Sequence, residues 1–197
     1  MDKVRYGIIG LHNHYHAYPF GQYLKRGIPN AELVAVADER EKYAGGFAEA
    51  YGAEAYYTDY RRIVDRKDID AVIVTSYTTA HAEHVVACAE AGKHVLLDKP
   101  ISASLEDADR MIAAADKAGI RFMMAYLLRF LAPYQLAKRI IDEGHIGKLV
   151  SGFYSIRCPL GFIREAPDTT EPGWYVDPAK CGAGGFMDHA VHFTDCF

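Results

Sequence analysis

Val4-Arg5-Tyr6-Gly7-Ile8-Ile9-Gly10-Leu11-His12-Asn13-His14-Tyr15 runs from an apolar, β-rich segment through a glycine into a polar turn. A strand that breaks at a tight glycine turn and leads into a helix is how a parallel nucleotide-binding sheet begins. The spacing expected there is G-x-G-x-x-G, and only its first glycine, Gly10, is present. His12 stands where the backbone should approach a pyrophosphate, and Tyr15 where helix and strand should pack closely. A side chain of His12 or Asn13 could then supply the phosphate hydrogen bond that a glycine backbone normally gives. The next β-rich run, 31–37, ends at Asp38, roughly 20 residues beyond the loop, where an acid bonds the ribose hydroxyls of NAD. A carboxylate there repels the extra phosphate of NADP, so NAD is expected and NADP disfavoured, although Arg40 pulls the other way. The alternative role for Asp38 is to cap the following helix.

Outward from this stretch, short apolar runs alternate with helical patterns, as in βαβ units. Strands are expected at 4–11, 31–37, 70–75, 94–97 and 121–127, with a weaker edge strand at 55–58. The runs 70–75 and 94–97 are continuously apolar, as strands buried on both faces are. Helices are expected at 40–51, despite Gly45-Gly46, at 81–90, ending at Gly92, and at 104–118, where Ser104 and Asp107 resemble a capping box and Gly119 is the stop. The segment 12–18 reads as a loop that becomes helical at Pro19. Past Arg129 come a helix at 133–143, a long alternating strand at 148–157, a Pro-, Gly- and Asp-rich loop at 159–180 and a last helix from about Gly185. The fold class is therefore α/β. A Rossmann-type parallel sheet with helices on both faces occupies 1–127, and the start of a second α/β domain occupies 128–197. The strand at 148–157 has no sequence neighbours to pair with, and the last helix reaches Phe197 without a cap. This predicts a piece of a longer protein, or a chain completed by a partner.

Composition narrows the functional classes. A chain of 197 residues, half of them apolar, can bury a substantial core in one large or two small domains. A formal charge of −4 with no basic stripe argues against a nucleic-acid partner. The apolar runs are too short to span a membrane, and the start carries no signal-peptide pattern. Cys88, Cys158, Cys181 and Cys196 show no CxxC spacing, which predicts reduced thiols in a cytoplasmic protein rather than a zinc knuckle or disulfide framework.

The chemistry points to two places. Asp98-Lys99-Pro100 follows the run His94-Val95-Leu96-Leu97, so Lys99 falls at the carboxyl end of a buried parallel strand, where open α/β sheets bind ligands. Asp188 and His192, four residues apart after Gly184-Gly185, share one helix face. His12, His14 and His16 form an H-x-H-x-H run, but alternate residues point the same way only on an extended strand, so no metal is expected. Trp174, the single tryptophan, either walls a substrate site or packs, and Arg129 either contacts substrate or pairs with a carboxylate. His145 and His189 are expected to be structural or solvated.

With these motifs the chain resembles the glucose-fructose oxidoreductase / inositol dehydrogenase / MocA (Gfo/Idh/MocA) family. The resemblance rests on Tyr6-Gly7-Ile8-Ile9-Gly10, Ala35-Val36-Ala37-Asp38, 70–75 with His81, Ala91 through Pro100, Gly144-His145-Ile146-Gly147-Lys148, and Gly184-Gly185 with Asp188 and His192. It implies an NAD(P)-binding Rossmann domain followed by a mixed α/β domain whose open sheet mediates homo-oligomers. It also implies oxidation of a sugar, polyol or related hydroxyl compound. By position Lys99 matches the lysine of the family's Glu-Lys-Pro motif, and Asp188 and His192 its catalytic acid and histidine. The cofactor would lie against Gly10, Leu11, His12, Asn13, His14, Asp38, Arg40, Thr75, Ser76, Tyr77, His81, Asp98 and Lys99. The substrate would meet Lys99, Arg129, Trp174, Asp188 and His192. Within that expectation His192 takes the hydroxyl proton, Asp188 binds a hydroxyl or tunes the histidine, and Lys99 bonds the reacting oxygen. Asp98 replaces the family's glutamate, His12 and Tyr15 replace glycines, and the family's chains continue well beyond this one. Two other readings fit the same motifs: a glycoside hydrolase using NAD transiently, and a non-enzymatic protein that senses a dinucleotide or sugar.

Overall fold

The computed structural model describes residues 3–155, 157, 166, 168–182 and 184–196. Six strands form one parallel sheet: β1 (Val4–Ile9), β2 (Ala31–Ala37), β3 (Ala55–Tyr57), β4 (Ala71–Val74), β5 (His94–Leu97) and β6 (Phe122–Met124). Their order, β3-β2-β1-β4-β5-β6, reverses direction between β1 and β4. That reversal is the switch point at which doubly wound sheets bind dinucleotides, and it confirms the Rossmann architecture.

The helices cover both faces because successive strand residues point to opposite sides. Ile8, Val36 and Ile73 pack under α1 (His14–Arg26) and α2 (Glu41–Tyr51), together with Ala17, Leu24 and Phe47. Ile9, Val72, Val74, Val95 and Leu97 point the other way, onto α4 (His81–Glu90) and α5 (Leu105–Ala118), with α3 (Arg61–Asp65) adding Ile63. At the start of α5, Ser104 accepts a hydrogen bond from the Asp107 N–H at 3.1 Å, and Gly119 ends the helix in the left-handed conformation, both as predicted.

Three expectations are corrected. Helix α1 begins at His14, not Pro19, because the Asn13 carbonyl accepts from the N–H groups of both His16 and Ala17 and closes the first turn early. Pro19 therefore lies inside α1, where its missing N–H costs one bond near the helix start. The strand predicted at 148–157 is absent over 148–155: no strand among the described residues pairs with it, and Val150 and Phe153 stay 89% and 94% exposed. Cys158 and most of 156–167 lie outside the described residues. The loop predicted at 159–180 contains, in its described part, a 3-10 turn at Trp174–Val176 and a short helix, α7 (Pro178–Cys181), capped by the Asp177 side chain. Helix α6 (Ala132–Asp142) buries no residue, and α8 (Gly184–Cys196) closes the described chain. Among the described residues, no helix is long and apolar enough to cross a membrane.

Candidate functional site

At the switch point the chain leaves β1 through Gly10, whose φ is +81°. A Cβ there would meet the Ser76 Cα at 2.5 Å, so this turn admits only glycine. Beyond β2 the carboxylate of Asp38 is buried and accepts the Leu11 N–H at 2.6 Å. Arg40 folds onto the same carboxylate, with Nε 2.8 Å from Oδ1 and Nη2 3.0 Å from Oδ2. The ends of β1 to β4 enclose a cleft of about 260 Å³ lined by Gly10, Asp38, Glu39, Thr58, Tyr60, Arg61, Ser76, Tyr77 and His84. An acid, a hydroxyl and aromatic rings around a slot at the strand ends suit the adenosine half of a dinucleotide.

His12 does not reach toward open solvent as a phosphate donor would. It is buried, its Nε2 lies 3.1 Å from Glu39 Oε1, and its Nδ1 is 3.7 Å from Asp38 Oδ2. The hydrogen bond from His12 holds the Glu39 carboxyl down to about 2. His12 also meets the Tyr77 ring edge-on, and its carbonyl accepts the Trp174 indole N–H at 3.0 Å. Trp174, 2% exposed and stacked on Tyr175, therefore packs the C-terminal segment onto the β1 turn. His12, Asp38 and Glu39 offer ligand atoms within 4.8 Å of one another, but Arg40 already neutralises Asp38.

Several predicted cofactor contacts lie behind this surface. Thr75 bonds the Gly10 carbonyl, and Asn13 donates to Asp98 while its own N–H reaches the Thr75 carbonyl. The His81 ring is buried between the Ser76 and Pro100 carbonyls, each 3.0 Å from a ring nitrogen, and burial lowers its pKa. His14 is buried against Tyr15, and His14 and His16, two residues apart on α1, cannot share a face. These residues hold the loops that line the cleft.

The second cluster forms where β5 ends. Lys99 is buried, and its Nζ donates to Asp188 Oδ1 at 2.6 Å, bringing α8 onto the strand end. His189 Nδ1 lies 2.8 Å from the other Asp188 oxygen. Burial, and then the Lys99 charge, push His192 down to about 4, so its imidazole is neutral near neutral pH. Asp98 is buried, which opposes its ionisation, but His16 and the Lys99 charge outweigh this and hold its carboxyl below the ordinary value. Arg129 pairs through two nitrogens with Asp195, one turn beyond His192 on α8. Lys99, Asp188 and His192 thus come together, and Arg129 takes the carboxylate-pairing alternative. The cleft and the strand-end cluster also bring in Glu39, Tyr60, Arg61 and His84, which the sequence reading did not single out, while His16 entered it only through the H-x-H-x-H run and His189 only as a structural or solvated residue.

The comparisons with known proteins agree with this geometry. The profile of the Gfo/Idh/MocA oxidoreductase family, NAD-binding Rossmann fold, matches residues 4–126, and the profile of the family's C-terminal domain matches 134–197. Myo-inositol 2-dehydrogenase of Thermotoga maritima is 37% identical over 168 residues, covering 85% of this chain and 47% of that protein. Scyllo-inositol 2-dehydrogenase (NAD(+)) of Bacillus subtilis is 30% identical over 195 residues, covering 98% and 52%. The crystal structure of scyllo-inositol dehydrogenase from Lactobacillus casei with NAD(H) and scyllo-inositol superposes with a TM-score of 0.69 at 26% identity, covering 74% of this chain and 43% of that one. The chain spans about half the length of the curated relatives it matches. On sheet order, site geometry and both profile matches, this chain belongs to the Gfo/Idh/MocA oxidoreductase family.

Proposed function

We propose that this chain carries the cofactor site and part of the substrate site of a dehydrogenase. The enzyme would move a hydride between NAD and a hydroxyl carbon of a sugar, polyol or related compound. The observation that carries the reading is the convergence of Lys99, Asp188 and His192 beside the dinucleotide cleft. The nicotinamide, when bound, accepts or returns the hydride. The chain's own residues do the rest. Lys99 donates a hydrogen bond to the reacting oxygen and steadies its developing negative charge. His192, neutral in the resting site, takes the hydroxyl proton. Asp188 holds Lys99 and His189 in place and can accept a second substrate hydroxyl. NAD is preferred because a 2′-phosphate would meet the Asp38 carboxylate and would have to break Arg40 away from it.

The reading includes a homo-oligomer formed through the second domain, no membrane or nucleic-acid partner, and a cytoplasmic setting in keeping with the free thiols of Cys88, Cys181 and Cys196. Calorimetric titration with NADH and NADPH, followed by a panel of inositols, polyols and sugars with NAD, tests it. Tight NADH binding with reduction of NAD by one of the panel is expected. Binding without any turnover would favour the sensing role, and sugar release without net NADH would favour the hydrolase.

A further inference from the structure

The mechanism above draws on Lys99, Asp188, His192 and the Asp38 carboxylate, and leaves the far side of the Asp38 cleft unused. The charges that line this cleft are met within the protein. Asp38 is held by Arg40, Glu39 by His12, and Arg61 by Asp59 and Glu83. What the cleft offers a ligand is therefore neutral: the rings of Tyr60 and Tyr77, the hydroxyl of Thr58 and the imidazole of His84. A slot with aromatic walls and no unmatched charge suits an uncharged heteroaromatic base better than a phosphate or a carboxylate.

His84, half-buried on α4, is fixed from two sides. Its Nδ1 lies 2.9 Å from the Ser76 hydroxyl, and Ser76 is itself buried, with its carbonyl 3.0 Å from a His81 ring nitrogen. Opposite, the Tyr60 ring packs on the imidazole at 4.4 Å between centroids, and the Tyr60 hydroxyl donates to Glu83 at 2.7 Å, tying that ring to α4 as well. With Nδ1 engaged by Ser76, Nε2 bonds to no other group among the described residues, and the ring lines the cleft. Burial holds the imidazole down to about 4, so it is neutral near neutral pH. Nε2 then carries either a proton or a lone pair, according to whether the Ser76 hydroxyl donates to Nδ1 or accepts from it.

We infer that Nε2 of His84 reads the base of the dinucleotide, which makes His84 a specificity-determining residue for adenine; the inference rests on the dehydrogenase reading. Adenine sets an acceptor, N1, beside a donor, its 6-amino group, so Nε2 finds a partner there in either state. Hypoxanthine reverses both positions, with a hydrogen on N1 and a carbonyl at position 6. An imidazole pinned by Ser76 and Tyr60 cannot follow the exchange, and its nitrogen would be left facing a like group.

The test measures binding rather than turnover, by fluorescence titration of the full chain with NADH and with reduced nicotinamide hypoxanthine dinucleotide. Wild type is expected to bind NADH more tightly by about tenfold or more. In His84→Leu that advantage should shrink to within about twofold, with the loss falling on NADH. A second measurement uses wild-type protein without nicotinamide: NMR of the imidazole nitrogens during titration with AMP and with IMP. AMP is expected to shift the His84 resonance, assigned by its absence from His84→Asn, and IMP to leave it in place. Equal affinities in wild type, an advantage that survives His84→Leu, or a His84 resonance that answers alike to AMP and IMP would each overturn the inference. If wild type binds NADH, such a result sinks the base contact alone. If wild type binds neither dinucleotide, the dehydrogenase reading fails first and the base contact falls with it.

Discussion

Lys99 and Asp188 are oppositely charged side chains taken out of water together, and each is tolerable only because of the other. Replacing Lys99 by alanine leaves a buried carboxylate without its cation, which costs about 3–5 kcal/mol. It should also lower turnover by at least roughly 10²-fold. NADH affinity should stay within a few-fold, because the cleft at Asp38 is formed by other strands. The double variant Lys99→Met/Asp188→Leu separates the two effects: denaturant unfolding should show stability regained while activity stays lost. An active double variant would remove the pair from the chemistry. Gly10 makes a sharper structural demand. At φ +81° with Ser76 Cα 2.5 Å from any added Cβ, Gly10→Ala combines backbone strain with overpacking. A loss of about 2 kcal/mol or more in urea melts, together with loss of NADH binding, is expected. A variant as stable as wild type would mean that the β1 turn can open.

Helix α8 brings Asp188 and His192 to the strand end, and a pair on its own surface steers it. Asp188, His192 and Asp195 are spaced i, i+4 and i+7 on one face, and Asp195 is bound by Arg129 from the 3-10 turn at Leu127–Phe130. Arg129 is half exposed, so the pair adds less than about 1 kcal/mol to stability. Its effect is positional. Asp195→Asn should leave the melting temperature nearly unchanged yet lower kcat by roughly tenfold or more through small displacements of His192. The exchange Arg129→Asp/Asp195→Arg should recover most of the loss; no recovery would show that Asp195 acts by itself. At this scale the sequence was legible where periodicity and a single glycine suffice. The parallel strands, the Ser104 cap and the position of Asp38 all rest on neighbours within a few residues. The 148–157 alternation misled because a strand exists only with a partner, and none is found among the described residues. The early start of α1 depended on one carbonyl, at Asn13, taking two donors. The His16–Asp98 and Lys99–Asp188 contacts join residues more than 80 positions apart, and no local spacing encodes them.

Across the whole molecule, the two clusters that form the site are linked to folding through their histidines. His84, bonded to Ser76 at the cleft beside Asp38, and His192, on α8 near the end of β5, are both held down to about 4 from an ordinary 6.5, chiefly by burial. In the unfolded chain each takes up a proton near 6.5; in the fold neither does until about 4. The folded state therefore binds fewer protons across that interval, and stability falls as pH drops from 6.5 to 4, then stops falling on their account. Each contributes no more than roughly 3 kcal/mol. Glu39 extends the decline: its carboxyl, lowered from 4.5 to about 2 by His12, favours the fold above 4.5 and ceases to do so as pH falls to 2. The melting temperature should accordingly drop steadily below pH 6.5, with the imidazoles setting the upper part of the decline and Glu39 extending it below 4.5. His84→Asn can retain a bond to Ser76 without titrating, and should flatten the upper part of that slope. Melting curves of wild type and His84→Asn across the window decide it, and parallel slopes for the two proteins would show that His84 is charged in the fold.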